Sequence, residues 1–69
     1  MRYLVEVFWS DEDEGYIALV PDLPGCSAFG QTPEDAVHEI GDAVEAWIEA
    51  CRAAGDPVPE RAAKARQAA

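Results

Sequence analysis

The side chains able to do chemistry are few and scattered. His38 is the only histidine, and Cys26 and Cys51 are the only cysteines. A catalytic histidine needs a nucleophile or second base within hydrogen-bond reach. One helical turn to either side of His38 stand Glu34, Asp35, Gly41 and Asp42, with no serine, cysteine or lysine. His38 therefore reads as an exposed helix residue beside carboxylates. Cys26 and Cys51 lack the paired spacing of zinc ligands, and they read as small core residues with reduced thiols. Asp11, Asp13 and Gly15 echo part of a calcium loop, but Tyr16, Ile17 and Ala18 stand where further ligands would be needed. No glycine-rich phosphate loop precedes a helix, and Trp9 and Trp47 read as core aromatics rather than stacking platforms. The expectation is a protein with no catalytic residue, no metal and no cofactor, and not an enzyme.

What the chain does have is charge. Fourteen acids face five bases over 69 residues, for a net −9. All 14 acids lie within residues 1–60, where Arg2 and Arg52 are the only bases, so that body carries −12. Such a field repels phosphate backbones and anionic lipid and attracts basic proteins. Direct nucleic-acid and membrane binding are disfavoured. The N-terminal residues do not resemble a signal peptide, and no apolar run approaches the ~20 residues of a membrane span. A cytoplasmic location is expected. A domain this small sits near the lower limit for a self-sufficient core, and homo-oligomerisation, as a dimer, is the expected compensation.

The elements that position these charges follow from the apolar pattern. Residues 2–9 read as a strand, with Tyr3, Val5, Val7 and Trp9 on one face and Arg2, Leu4, Glu6 and Phe8 on the other. Asp11, Glu12, Asp13 and Glu14, followed by Gly15, cannot sit in a ladder and form the hairpin loop. Residues 16–20 make a second strand. Pro21-Asp22-Leu23-Pro24-Gly25 then ends it, because each proline lacks an N–H. In that corner Asp22 is expected to accept backbone N–H groups within the turn. Residues 26–30 resume as a third strand. Thr32 is an N-cap, Pro33 occupies the first helical position, and Glu34 and Asp35 suit the helix dipole. Val37, Ile40, Val44, Trp47, Ile48 and Cys51 recur on one helical face, and Asp35, Glu39, Asp42, Glu45 and Glu49 on the opposite one. Gly55 stops the helix, with Pro57 beyond it. Gly41, mid-helix, suggests close approach to the sheet. The fold class is α+β, β-β-β-α-β: a three-stranded antiparallel sheet, with room for a short fourth strand at 56–60, covered on one face by one long helix. Residues 1–60 form the domain, and 61–69 an Ala-rich basic tail expected to fray.

The run from Gly15 to Cys26, containing PDLPG, followed by Gly30-Gln31-Thr32-Pro33-Glu34-Asp35-Ala36, resembles the HicB-type antitoxin domain over roughly residues 2–59. The resemblance implies a partial ribonuclease-H-like fold without nuclease activity. It also implies a function: neutralising a small basic mRNA-cleaving toxin of the HicA type by covering its RNA-binding surface. Acidic loop 11–14 and the stripe Asp35, Glu39, Asp42, Glu45, Glu49 are then the residues expected to touch the toxin. Many members of that family carry a C-terminal DNA-binding domain. Only about ten residues follow Pro59 here, so operator binding is not expected. The competing readings are a stand-alone, self-associating scaffold module and, last, a carboxylate-based metal-dependent hydrolase.

Overall fold

The computed structural model describes residues 2–64. Its elements are β1 (Glu6–Ser10), β2 (Gly15–Leu19), β3 (Ser27–Gly30) and α1 (Pro33–Ala53), with the sheet in the order β1-β2-β3 and both pairings antiparallel. The expected three strands and single long helix are present. Among the described residues, no helix is long and apolar enough to cross a membrane.

The first strand is shorter than residues 2–9. Glu6 pairs with Leu19, and beyond it β2 offers no further partner, because Val20 already turns into the proline corner. That corner closes on its own backbone: Leu23 N–H donates to the Val20 carbonyl at 3.0 Å, Cys26 N–H to Leu23 at 3.0 Å, and Val20 N–H to Cys26 at 3.2 Å. Gly25 has φ +80, the left-handed conformation that glycine tolerates best. Residues 57–64 are described and form no strand. Pro57 and Pro59 remove two of the N–H groups a ladder there would need.

Pleating sorts the sheet into two faces. Val7, Ala18 and Ala28 align across the strands on the helix side, and Phe8, Ile17 and Phe29 align on the other. The core consists of Tyr3, Ala18, Val20, Leu23, Cys26, Ala36, Ile40 and Val44, with Leu23 and Ile40 its largest fully buried side chains. Helix and sheet meet most tightly at Gly30. A Cβ there would stand 2.3 Å from the Ala36 backbone nitrogen, so the first turn of α1 lies directly on the strand.

This close approach corrects the helical face. Ala36 is fully buried, whereas Val37 is 48% exposed. The inward stripe begins at Ala36 and runs through Ile40, Val44 and Trp47, because the small Ala36 is the residue that fits against Gly30. Trp9 is also not a core aromatic, being 51% exposed. The helix lies over β3 and β2 and touches β1 least, so it leaves Trp9 uncovered. Trp47 is half-buried, its Nε1–H donating to the Pro24 carbonyl at 3.1 Å and so fastening the helix to the corner.

Both helix ends are closed as read from the sequence. Thr32 Oγ1 accepts from Asp35 N–H at 3.1 Å. At the other end Gly55, with φ +77, donates to Arg52, and Asp56 N–H donates to Cys51, the paired bonds of a Schellman ending.

Candidate partner-binding surface

The hairpin loop and the start of α1 share one end of the sheet. Gly15 follows the loop, Tyr16 pairs with Gly30, and Gly30 leads within two residues to the Thr32 cap. Asp11, Glu12, Asp13 and Glu14 are all exposed there, as are Glu34 and Asp35. From that end Glu39, Asp42, Glu45 and Glu49 continue down the outer face of the helix, all exposed. The two sets of acids singled out from the sequence are thus all exposed, the loop and the helix start lying at the same end of the sheet.

The loop is ordered by its own side chains. Trp9 Nε1–H donates to Asp11 Oδ1 at 2.7 Å, and Ser10 Oγ donates to Asp13 Oδ2 at 2.9 Å while accepting from Asp13 N–H at 3.3 Å. Glu14 adopts φ +51, which lets the chain close onto β2 and presents its carboxylate outward. Trp9 is held in turn by an edge-on contact with Tyr16, the ring centroids 5.2 Å apart. Asp11 and Asp13 are therefore engaged with Trp9 and Ser10. Among the described residues, no group of three or more His, Cys, Asp or Glu side chains could hold a metal ion.

His38 is exposed on the helix flank, lining a shallow open depression with Val37, Gly41, Asp42, Val44 and Glu45. No nucleophilic side chain shares that depression. Cys26 is buried, and burial pushes its thiol up from the ordinary value, away from the reactive thiolate. Cys51 is half-buried, its thiol donating to the Asp56 and Pro57 carbonyls. Among the described residues, what this arrangement presents is charge and apolar surface.

One motif residue works differently from its sequence reading. The Asp22 carboxylate does not bond within its own turn. It accepts from Ala62 N–H at 3.0 Å and from Ala63 N–H at 3.1 and 3.2 Å, about forty residues away. The Tyr3 hydroxyl likewise donates to the Pro59 carbonyl. Pro21, Leu23, Pro24 and Gly25 shape the corner, and Asp22 uses it to hold the segment that follows the helix. No local spacing signals these contacts, because both partners are backbone groups of distant residues. Of the tail expected to fray, residues 61–64 include this tie, and 65–69 lie outside the described residues.

On the opposite side of the sheet Phe8 is 47% and Phe29 40% exposed, flanking half-buried Ile17. The sequence reading placed Phe8 on this open face and missed the row. Its signal was the alternation in all three strands, which sets Phe8, Ile17 and Phe29 in one register once the hairpin is fixed at Ser10 and Gly15.

The profile described as the HicB-like antitoxin of bacterial toxin-antitoxin systems matches residues 3–69. The chain belongs to this family. It is 37% identical over 59 residues to a UPF0150 protein of Thermoplasma acidophilum, a match covering 86% of this chain and 84% of that one. It is 44% identical over 48 residues to a UPF0150 protein of Synechocystis, covering 70% of this chain and 61% of the relative. A UPF0150 protein of Archaeoglobus fulgidus is 31% identical over 49 residues, covering 71% of this chain and 70% of that one. No solved structure matches the chain significantly. An antitoxin family implies a toxin partner, and it suits a surface built to bind rather than to react.

Proposed function

We propose that this protein neutralises a small, basic, RNA-cleaving toxin of the HicA type in the cytoplasm, by laying its acidic loop and outer helix face across the toxin's RNA-binding surface. The observation that carries the reading is the segregation of acids. In a member of an antitoxin family, the acids of loop 11–14 and the helical residues Asp35, Glu39, Asp42, Glu45 and Glu49 are all exposed, while the described core is apolar. An RNA-binding toxin must present cations to phosphate, and a carboxylate array competes for the same cations. Complementary fields raise the association rate and suppress binding to nucleic acid. The partial ribonuclease-H-like architecture belongs to this proposal as well.

The test is co-expression with a HicA-like toxin, read as restored growth and as intact mRNA. Wild-type protein is expected to protect, and the quadruple variant D35K/E39K/D42K/E45K is expected to lose protection while keeping the helical circular-dichroism signal of the parent. Unimpaired protection by that variant excludes the helix face, and absence of any complex with such toxins excludes the reading.

A second reading, a self-associating interaction module with no toxin partner, is favoured by the exposed aromatics Phe8, Trp9 and Phe29. It predicts oligomers that form without a basic partner and are indifferent to reversal of the helix acids.

A further inference from the structure

Among the described residues, β1 hydrogen-bonds to β2 on one side and to no strand on the other. Open edges of this kind are normally blunted by lysine, proline, a bulge or a covering segment, because their free N–H and C=O groups template pairing with another chain. Glu6-Val7-Phe8-Trp9-Ser10 contains none of the blunting residues, and its one charge lies at its end. The other edge, β3, differs. It has four residues, lies under the helix and ends on Gly30 wedged against α1. β1 also shows a large aromatic on each face, Phe8 at 47% exposure on the open side and Trp9 at 51% on the helix side. A second strand laid alongside would cover both.

We propose that β1 is a pairing edge for a second copy of this chain, joined antiparallel about a two-fold axis through Phe8 to make one continuous six-stranded sheet. The register follows from the strand. Phe8 is the centre of the five residues Glu6–Ser10, so a two-fold there overlaps the whole element and sets Val7 beside the partner's Trp9. Phe8 meets the partner's Phe8 on the open face, where directly opposed side chains touch. Charge selects a copy of the same chain over other strands. Past the strand, each copy's N-terminal segment, with exposed Arg2, runs toward the end of the other copy's β1, where the four adjacent carboxylates of loop 11–14 begin. An isologous pair of this kind closes on itself and does not propagate into fibres. The helix acids point away from the sheet, so pairing engages the loop and leaves the outer face of the helix free. The inference holds whether or not the protein meets a toxin.

Single-cysteine cross-linking decides it. In a C51S background, F8C places two thiols on the axis. Opposed residues of an antiparallel pair are about 4.5–5.5 Å apart at Cα, within disulfide range. Mild oxidation is expected to convert F8C to a covalent dimer and to leave F29C, which lies two strands from the edge, monomeric on a non-reducing gel. Light scattering of the wild type is expected to give the mass of two chains, and F8K, which sets two ammonium groups on the axis, the mass of one. A single-chain mass for the wild type, or an F8C that does not cross-link, overturns the proposal. Cross-linking through F29C instead would show that the sheets stack face to face. The F8C result stands even if F8K fails to fold.

Discussion

Asp22 shows how a motif residue can hold a distant part of the chain. Its carboxylate gathers the N–H groups of Ala62 and Ala63, and charge-assisted bonds of this kind contribute about 1–2 kcal/mol when partly exposed. Ala62 N–H belongs to the Arg61–Ala62 peptide bond, a trypsin site that must leave this contact to enter a protease. D22A is therefore expected to speed tryptic cleavage after Arg61 several-fold and to cost about 1 kcal/mol in urea unfolding. D22N, which keeps one acceptor, should fall between. Cleavage at the parental rate would show that the tie does not hold the segment. Cys26 offers a second residue-scale outcome. Burial raises its pKa above the 9.0 of a free thiol, so the folded state holds the proton more tightly than the unfolded state. The stabilisation this gives is complete below the unfolded pKa and is lost as pH rises through the folded one. Between pH 8 and 10.5 the unfolding free energy of the wild type should fall more steeply than that of C26A, by at most about 1.4 kcal/mol per pH unit.

At the scale of elements, legibility tracked how local the cause was. The helix limits could be read because Thr32, Pro33 and Gly55 act within a turn of themselves. The hairpin could be read because four adjacent carboxylates cannot belong to a ladder. The inward face of α1 was misplaced by one residue at its start, since Ala36 against Gly30 is a tertiary fit and periodicity alone favours the larger Val37. Trp9 was misassigned for a related reason: where the helix crosses the sheet is set by packing, not by pattern. The acidic surface was legible residue by residue, but the convergence of the loop with the helix start emerges only through the pairing of Tyr16 with Gly30. Two changes test the ends of the helix. T32A removes the acceptor for Asp35 N–H and should cost about 1 kcal/mol. G55A forces a side chain into a left-handed conformation and should cost about 1–2 kcal/mol. The sites are separated by a helix of roughly 30 Å, so the double variant should show the sum within about 0.5 kcal/mol in thermal or urea unfolding. A large excess would mean that the helix ends are coupled through the core.

For the molecule as a whole, the same charges have opposite consequences for folding and for partner binding, and this separates an adhesive surface from one that merely keeps the protein in solution. With −9 on 69 residues, the folded state gathers its acids on the loop and outer helix and pays for that crowding in self-repulsion. Salt screens exposed charges over a Debye length that shrinks from about 30 Å at 0.01 M to about 8 Å at 0.15 M. Raising ionic strength across that range should therefore raise the melting temperature. A complex held by docking the acidic surface on a basic partner should respond with the opposite sign. Its association rate should fall on the order of tenfold or more, with a smaller change in dissociation rate, because steering acts on encounter. Stopped-flow mixing with the partner, alongside melting curves in the same buffers, measures both. If salt stabilises the fold and leaves association unchanged, the acids serve solubility and the partner sits elsewhere, on the aromatic edge or the open face of the sheet. If the two trends cross, the surface that strains this small domain is the one that recognises its target.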